Sequence, residues 1–386
     1  KTIIIFKRAS AAWNKIFSSP LFFLFNSVLK TGGFRKGGPK RKSSRSKRWS
    51  RSAQTLFASW AVIGQLGAIG VIVGEALEPQ LAKAQITEIP GASGDSGGTA
   101  TASGSGAFAI GVSASAEGTN SIALGRRSLA NAINSTAVGT LANATAIYAS
   151  AFGYESTASE EFATSLGFRS HASGLSAVAI GRYSNATDTN TIAIGNQAQS
   201  IQTGAIAIGL QSNATANSSQ SIGFSAQATA NYSLAHGFNA EASGNNSIAT
   251  GRNASASGTY AISIGLDTTS SGESSTAVGR GSNATSKFAT SIGAVSNAAA
   301  LRSTSVGYLS KASNIDSSSL GSQAQATGNS STAVGVSSAA TADQSTALGG
   351  KSIASQTGAL AVGFNSRASG ASSTALGLNS NAIALQ

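Results

Sequence analysis

The 386-residue chain has no cysteine and no methionine, and only 10% of its residues are charged and 6% aromatic. Without cysteine, disulfides, thiolate nucleophiles and cysteine-ligated metals are excluded, and a chain crossing an oxidising compartment avoids mispaired thiols. So few aromatic residues, in a chain rich in Gly, Ala, Ser, Thr and Asn, argue against a large conventional core. The absence of an initiator methionine predicts that the sequence is a fragment of a longer chain.

The net charge of +12 would by itself suggest a nucleic-acid or anionic-membrane partner, but the basic residues are concentrated at one end. Residues 1–74 hold 14 of the 26 Lys and Arg, and the first acidic residue is Glu75. From Gln85 onward there are 11 basic and 12 acidic residues, a net charge of −1. The basic character therefore belongs to the leader, and no nucleic-acid partner is predicted.

Residues 1–84 resemble a long export leader. A basic cluster within residues 40–51 precedes an apolar run from Leu56 to Val73, which is followed by the small-x-small sequence Ala82-Lys83-Ala84. This order predicts a Sec-type signal peptide cleaved after Ala84, and hence a chain exported to the cell surface. An uncleaved membrane anchor is the alternative, because the run approaches the ~18 residues of a spanning helix. A Gly/Ser-rich linker is assigned to residues 85–106.

The rest of the chain is a perfect repeat. Glycine recurs every 14 residues, which divides residues 107–386 into twenty units without an insertion or deletion. The recurring glycines, here called position 0 of each coil, are Gly111, Gly125, Gly139, Gly153, Gly167, Gly181, Gly195, Gly209, Gly223, Gly237, Gly251, Gly265, Gly279, Gly293, Gly307, Gly321, Gly335, Gly349, Gly363 and Gly377.

The residues around each glycine predict two short strands and two turns. Position −1 is Ile, Leu, Val or Phe in 18 of 20 units, position −2 is always Ala or Ser, and position +5 is Ala or Ser. Alternation with a period of two indicates a strand, and the glycine permits the bend that ends it. Small residues at positions +3 and +5 predict a second strand, and Gly, Asn and Ser at positions +7 to +9 a second turn. Stacked at ~4.8 Å, such coils form a rod ~95 Å long.

Residue size assigns the two faces of the first strand. A position restricted to Ala or Ser is expected inside the roll, where two sheets approach closely. The large apolar residues at position −1 then face outward, where another chain has to cover them, because burying each contributes ~1.5 to 3 kcal/mol. Closed cyclic symmetry buries such a row without forming open fibres, and we expect a homotrimer.

Three stretches carry a family resemblance: Asn120-Ser121-Ile122-Ala123-Leu124-Gly125, Thr191-Ile192-Ala193-Ile194-Gly195 and Ser331-Thr332-Ala333-Val334-Gly335. They resemble the head repeats of trimeric autotransporter adhesins, the YadA-like heads, and the resemblance extends over residues 107–386. It implies a left-handed parallel β-roll, obligate trimers, and attachment of a bacterium to extracellular matrix proteins, host cells or other bacteria. It also implies a neck, a stalk and an outer-membrane anchor C-terminal to Gln386.

No catalytic site, cofactor or metal site is predicted. The Gly-rich stretches lack the Gly-Lys-Ser/Thr and the strand-loop-helix context of a phosphate loop, and neither His171 nor His236 has an acidic neighbour at a fixed position of the repeat. Two rival functions remain: a phage or tailocin fibre, which the secretory leader disfavours, and an ice- or carbohydrate-lattice-binding solenoid. The latter needs an unbroken outward Thr row, and the Thr and Ser at position +6 are interrupted by Asn131 and Ile201.

Two groups of side chains are candidates for binding. Position +1 is rich in arginine and aromatic residues, which either seal the seam between neighbouring chains or contact a ligand. These residues are Arg126, Tyr154, Phe168, Arg182, Phe224, Phe238, Arg252, Arg280, Tyr308 and Phe364. In the second group, Gln220 at position −3 and His236 and Thr250 at position −1 interrupt the apolar stripe. At a trimer axis they would be satisfied by water and interchain hydrogen bonds, or three His236 imidazoles would hold a metal or an anion.

Overall fold

The computed structural model describes residues 98–383, which form strands and turns. The basic leader and its predicted signal peptide lie outside the described residues. No helix of residues 98–383 has the length and apolar character needed to cross a membrane.

Two kinds of strand alternate along the described chain. Long strands of three residues occupy positions −3 to −1, and short strands of two residues occupy positions +4 and +5. The long strands are β2 (Phe108–Ile110), β4 (Ile122–Leu124), β6 (Thr136–Val138), β8 (Ser150–Phe152), β10 (Thr164–Leu166), β12 (Val178–Ile180), β14 (Ile192–Ile194), β16 (Ile206–Ile208), β18 (Gln220–Ile222), β20 (Leu234–His236), β22 (Ile248–Thr250), β24 (Ile262–Ile264), β26 (Thr276–Val278), β28 (Thr290–Ile292), β30 (Thr304–Val306), β32 (Ser318–Leu320), β34 (Thr332–Val334), β36 (Thr346–Leu348), β38 (Leu360–Val362) and β40 (Thr374–Leu376). The short strands are β1 (Thr101–Ala102), β3 (Ser115–Ala116), β5 (Leu129–Ala130), β7 (Asn143–Ala144), β9 (Thr157–Ala158), β11 (His171–Ala172), β13 (Asn185–Ala186), β15 (Gln199–Ser200), β17 (Asn213–Ala214), β19 (Gln227–Ala228), β21 (Glu241–Ala242), β23 (Ser255–Ala256), β25 (Thr269–Ser270), β27 (Asn283–Ala284), β29 (Asn297–Ala298), β31 (Lys311–Ala312), β33 (Gln325–Ala326), β35 (Ala339–Ala340), β37 (Ile353–Ala354), β39 (Arg367–Ala368) and β41 (Asn381–Ala382).

Every strand pairs in parallel with the equivalent strands of the coils before and after it. Ile192 of β14 is aligned with Ile206 of β16, and Asn185 of β13 with Gln199 of β15, so the register shift is one repeat. The long strands form one continuous sheet and the short strands a second one, and the chain alternates between them. The predicted all-β parallel solenoid of 14-residue coils is confirmed.

The recurring glycine is required for two separate reasons. At Gly195 the backbone has φ +137°, which side-chain-bearing residues rarely adopt. A Cβ added there would also lie 2.3 Å from the carbonyl oxygen of Gly209 in the next coil. Conformation and close stacking therefore both exclude a side chain at position 0.

Each coil has two turns, and each turn places one residue in the left-handed region. In the first coil these residues are Ser113 at position +2, with φ 55°, and Asn120 at position +9, with φ 56°. Their amides extend the backbone ladder, because Asn120 donates its N–H to the carbonyl of Ser105 at 2.8 Å. The second turn lies where the sequence predicted it, at positions +7 to +9.

The interior of the roll contains only small side chains. Four positions per coil face inward, −4, −2, +3 and +5, and they are Ala, Ser or Thr throughout the buried core. Ala193 at position −2 is fully buried, as the sequence predicted for this position. Some interior serines bond to one another, as Ser165 and Ser170 do with an Oγ–Oγ distance of 2.6 Å, and others donate to a backbone carbonyl, as Ser135 does to Ala132. A small-residue interior allows the two sheets to approach closely.

The structure differs from the sequence prediction in two details. The residue at position +3 is buried but precedes the short strand, because its N–H closes the first turn, as in the 3.1 Å bond from Ala114 to the carbonyl of Gly111. The solenoid also begins before Ala107. Strand β1, Thr101–Ala102, lies within the stretch assigned to a linker and pairs with Ser115–Ala116.

Candidate functional site

The outer face of the long-strand sheet carries the predicted apolar row. Position −1 faces away from the interior, and its side chains remain partly exposed in the single chain: Leu166 is 47% exposed, Ile264 40% and Leu348 44%. The alanines and serines at position −2 between them are buried. The predicted assignment of the two faces of this strand is therefore confirmed.

His236 is the most polar member of this row. The ladder places it between Ile222 and Thr250, so the structure brings His236 and Thr250 together, whereas Gln220 lies beside Leu234 in the parallel row at position −3. The His236 Nε2 atom is buried and has no hydrogen-bond partner among residues 98–383. Burial lowers the pKa of the imidazole below its usual value, which favours the neutral form.

The first-turn edge, formed by positions +1 and +2 of the coils, carries the predicted arginine and aromatic residues. Tyr154 and Phe168 stack with ring centroids 5.2 Å apart, and Phe224 and Phe238 stack at 5.1 Å. Each ring remains about half exposed. Arg126, Arg182, Arg252, Arg280, Tyr308 and Phe364 lie on the same edge and are also exposed.

A charged network around the Tyr154–Phe168 stack was not predicted from the sequence. Arg169 forms an ion pair with Glu155, fourteen residues earlier, and its guanidinium lies 5.3 Å from the centroid of Phe168. The hydrogen bond from Arg169 holds the pKa of the Glu155 carboxyl below its usual range. Arg182 lies 4.9 Å from the ring centroid of Tyr183. All of these contacts involve position +2, and opposite charges one repeat apart would have indicated the ion pair.

The second-turn edge, formed by positions +7 to +9, was also missed as a candidate surface. Tyr148 and Phe162 stack there with ring centroids 5.2 Å apart, and each is 50% exposed. Further along the same edge, Arg302 binds Asp316 through two hydrogen bonds of 2.5 and 2.7 Å. The spacing of one repeat between Tyr148 and Phe162 is the sequence signal that indicates this stack.

The outer face of the short-strand sheet is polar. Asparagines recur on this face at position +4, and the buried Oδ1 atoms of Asn143, Asn185, Asn213, Asn283 and Asn297 have no hydrogen-bond partner among the described residues. The Thr row at position +6 is interrupted at Ile201 and is not part of the short strand. No group of three or more His, Asp or Glu within residues 98–383 is arranged to hold a metal ion.

Fold and surfaces together define a parallel β-solenoid whose exposed charged and aromatic side chains are distributed over the outside of many similar coils. The family described as "YadA head domain repeat (2 copies)" matches more than half of the chain. The matched residues are 102–128, 116–142, 130–156, 144–170, 172–198, 221–240, 242–268, 270–296, 312–338, 326–352 and 354–380. The chain therefore belongs to the YadA head family of trimeric autotransporter adhesins. The comparison with curated proteins gives no match.

YadA-like heads are exposed on the cell surface, form trimers and bind extracellular ligands. Proteins of this family and fold have adhesive and structural roles. The resemblance found in the sequence is confirmed by these matches.

Proposed function

We propose that this chain is the head of a bacterial surface adhesin, in which three copies form one rod that attaches the cell to host matrix, host cells or other bacteria. The leader 1–84 would direct its export, and an anchor in the outer membrane would hold it at the surface. Ligand contacts would be repeated along the rod.

The observation that carries this proposal is the outward apolar row at position −1. A single chain leaves large side chains such as Leu166 and Leu348 nearly half exposed on the face of the long-strand sheet. An apolar row of this length, interrupted at His236 and Thr250, indicates an interface, since covering the exposed part of each side chain contributes about half of the ~1.5 to 3 kcal/mol gained on burying a fully exposed one. Three long-strand sheets facing one axis cover the row completely.

A rod of stacked coils suits adhesion because many weak ligand contacts along it can together give strong binding. Each coil repeats nearly the same outer surface, and a trimer presents it three times at each height. Linked weak sites bind with an avidity that exceeds the affinity of each by ~10² to 10⁴ when geometry lets them engage together.

Sedimentation tests the trimer directly. The chain should sediment as a trimer, and Ile264→Ser with Ile292→Ser in the apolar row should release monomers or unfold the rod. The matched control is Ile353→Ser, at position +4 of the opposite sheet, which should stay trimeric. A stable wild-type monomer with a native β-sheet spectrum would contradict the proposal.

Adhesion is tested by displaying the chain on bacteria that do not otherwise adhere. Displayed trimers should attach to immobilised matrix protein or host cells, and the Ile264→Ser, Ile292→Ser variant should not. Trimeric rods that bind neither matrix, cells nor other bacteria would show that the head is a spacer and not an adhesin.

A further inference from the structure

The two turn edges of the roll carry opposite net charge. The first-turn edge has seven basic and two acidic residues, a net charge of +5, and the second-turn edge has two basic and six acidic residues, a net charge of −4. The first-turn charges are Arg126, Arg127, Arg169, Arg182, Arg252, Arg280, Lys351, Glu155 and Asp267. The second-turn charges are Glu160, Glu161, Asp188, Glu273, Asp316, Asp343, Lys287 and Arg302.

The difference in net charge between the two edges is largest in one stretch of the rod. Between Gly125 and Asn190 the first-turn edge has four arginines and one glutamate, net +3, and the second-turn edge has three carboxylates and no basic residue, net −3. Glu160, Glu161 and Arg182 are exposed, so their charges face outward from the roll. Half-exposed aromatic stacks lie on both edges of the same stretch: Tyr154–Phe168 on one and Tyr148–Phe162 on the other.

Threefold symmetry determines which edges meet. When three flat rolls turn their long-strand sheets toward one axis, the strands run around the perimeter and the turns lie at the corners. Cyclic symmetry makes every corner identical and joins unlike edges, so the first-turn edge of one chain always meets the second-turn edge of the next. In-register stacking places the basic and acidic stretches of neighbouring chains at the same height.

We propose that the seam between neighbouring chains is formed by the basic first-turn edge of one copy and the acidic second-turn edge of the next, over the coils from Gly125 to Asn190. This inference rests on the proposed trimer. Opposite charges attract across the seam and the two aromatic stacks exclude water from it, while a slip along the rod that moves the basic stretch away from the acidic stretch loses this attraction. The partner of this surface is a second copy of the chain.

The arrangement also accounts for how the charges are disposed within one chain. Glu155 is the only acidic residue on the basic stretch, and Arg169 of the same chain neutralises it. Arg127 and Arg182 therefore contribute to the basic surface presented to a neighbour. On the acidic edge, by contrast, Glu160 and Glu161 form no ion pair within residues 98–383.

Charge reversal on the full chain tests the seam. The acidic-edge variant is Glu160→Lys with Glu161→Lys, the basic-edge variant is Arg127→Glu with Arg182→Glu, and the third variant combines all four changes. Each single-edge variant places like charges in every seam and should lower the melting temperature of the trimer by about 3 °C or more. The combined variant restores opposite charges and should recover most of that loss.

Two controls accompany these variants. Glu117→Lys with Glu241→Lys changes the net charge as the acidic-edge variant does, but these residues occupy positions +6 and +4, outside the positions that form the two turn edges, and the trimer should melt as the wild type does. Raising the salt from about 0.05 M to about 0.5 M should lower the melting temperature of the wild type and raise that of the single-edge variants, because salt screens both attraction and repulsion.

Different outcomes would contradict the proposed seam and the proposed trimer. A monomeric wild type in sedimentation overturns the proposed trimer and the seam with it. A trimeric wild type whose single-edge variants melt unchanged, or whose combined variant recovers nothing, overturns the seam alone. Loss of attachment to cells with trimer stability intact would assign the edges to a ligand and also overturn the seam.

Discussion

A Cβ atom on Gly195 would lie 2.3 Å from the carbonyl oxygen of Gly209, one coil further along the rod. That separation is far below the contact distance of carbon and oxygen, and the carbonyl belongs to the backbone ladder. The clash could therefore be relieved only if the two coils moved apart. The 14-residue spacing of glycine is a requirement of stacking as much as of turn geometry.

We expect Gly195→Ala to destabilise its coil by about 3 kcal/mol or more, because it combines a left-handed φ with a backbone clash. Hydrogen exchange should accelerate in residues 181–223 in particular. The matched control is Gly281→Asn, since Gly281 occupies position +2, where Asn253 is accommodated in another coil. Equal protection of the two variants would show that the coils are more loosely stacked than the structure indicates.

Enlarging an interior side chain should disrupt the roll. Ala193 is fully buried between two sheets that admit only Ala, Ser and Thr. Ala193→Leu should lower the free energy of unfolding by about 1 to 3 kcal/mol through overpacking. Ala193→Ser should be well tolerated, because Ser165 occupies the equivalent position. Urea unfolding monitored by circular dichroism measures the stability of both variants. An Ala193→Leu variant as stable as the wild type would mean that the interior has unfilled volume.

The buried serine pairs should be replaceable. Ser165 and Ser170 are hydrogen-bonded at 2.6 Å inside the roll, and alanine occupies both positions in other coils. Replacing both partners with alanine leaves no unsatisfied hydroxyl, so Ser165→Ala with Ser170→Ala should be neutral or stabilising in a thermal melt. A loss of more than about 1.5 kcal/mol would show that the hydroxyl pair contributes more than an ordinary hydrogen bond.

His236 should make the rod sensitive to acid. Its pKa is lowered by burial, so the unfolded chain binds the proton more readily than the folded chain, and stability falls as the pH drops below the ordinary histidine value of 6.5. Three copies converging at a trimer axis would strengthen the effect unless an anion compensates. His236→Ile should raise the melting temperature at every pH between 5 and 8, and most at pH 5.

The control for this experiment is His171→Gln, since His171 is exposed on the short strand and Gln199 occupies the same position in another coil. It should leave the pH dependence unchanged. A His236→Ile variant that melts like the wild type at every pH would place His236 outside the packed interface. Metal binding by a ring of three His236 predicts that zinc raises the melting temperature of the wild type but not of His236→Ile.

The sequence alone determined the architecture of the described coils. An uninterrupted period of 14 identified the repeating unit, and the restriction of position −2 to Ala and Ser assigned the inward face of each long strand. Both features can be read from the sequence because each position has nearly the same surroundings in every coil. A limit on side-chain size at one position therefore appears twenty times along the chain. The sequence does not determine whether the second strand begins at position +3 or +4, because a buried small residue fits a strand and the end of a turn equally well.

The tertiary structure decided which exposed side chains contact one another. The pairing of Arg169 with Glu155 and the stacking of Tyr148 on Phe162 depend on side-chain direction at turn residues with left-handed backbone, which periodicity does not specify. The burial of His236 Nε2 likewise arises from the neighbouring coils. Periodicity identifies equivalent positions because the backbone repeats, but the contacts made by side chains at those positions depend on residues that differ from coil to coil.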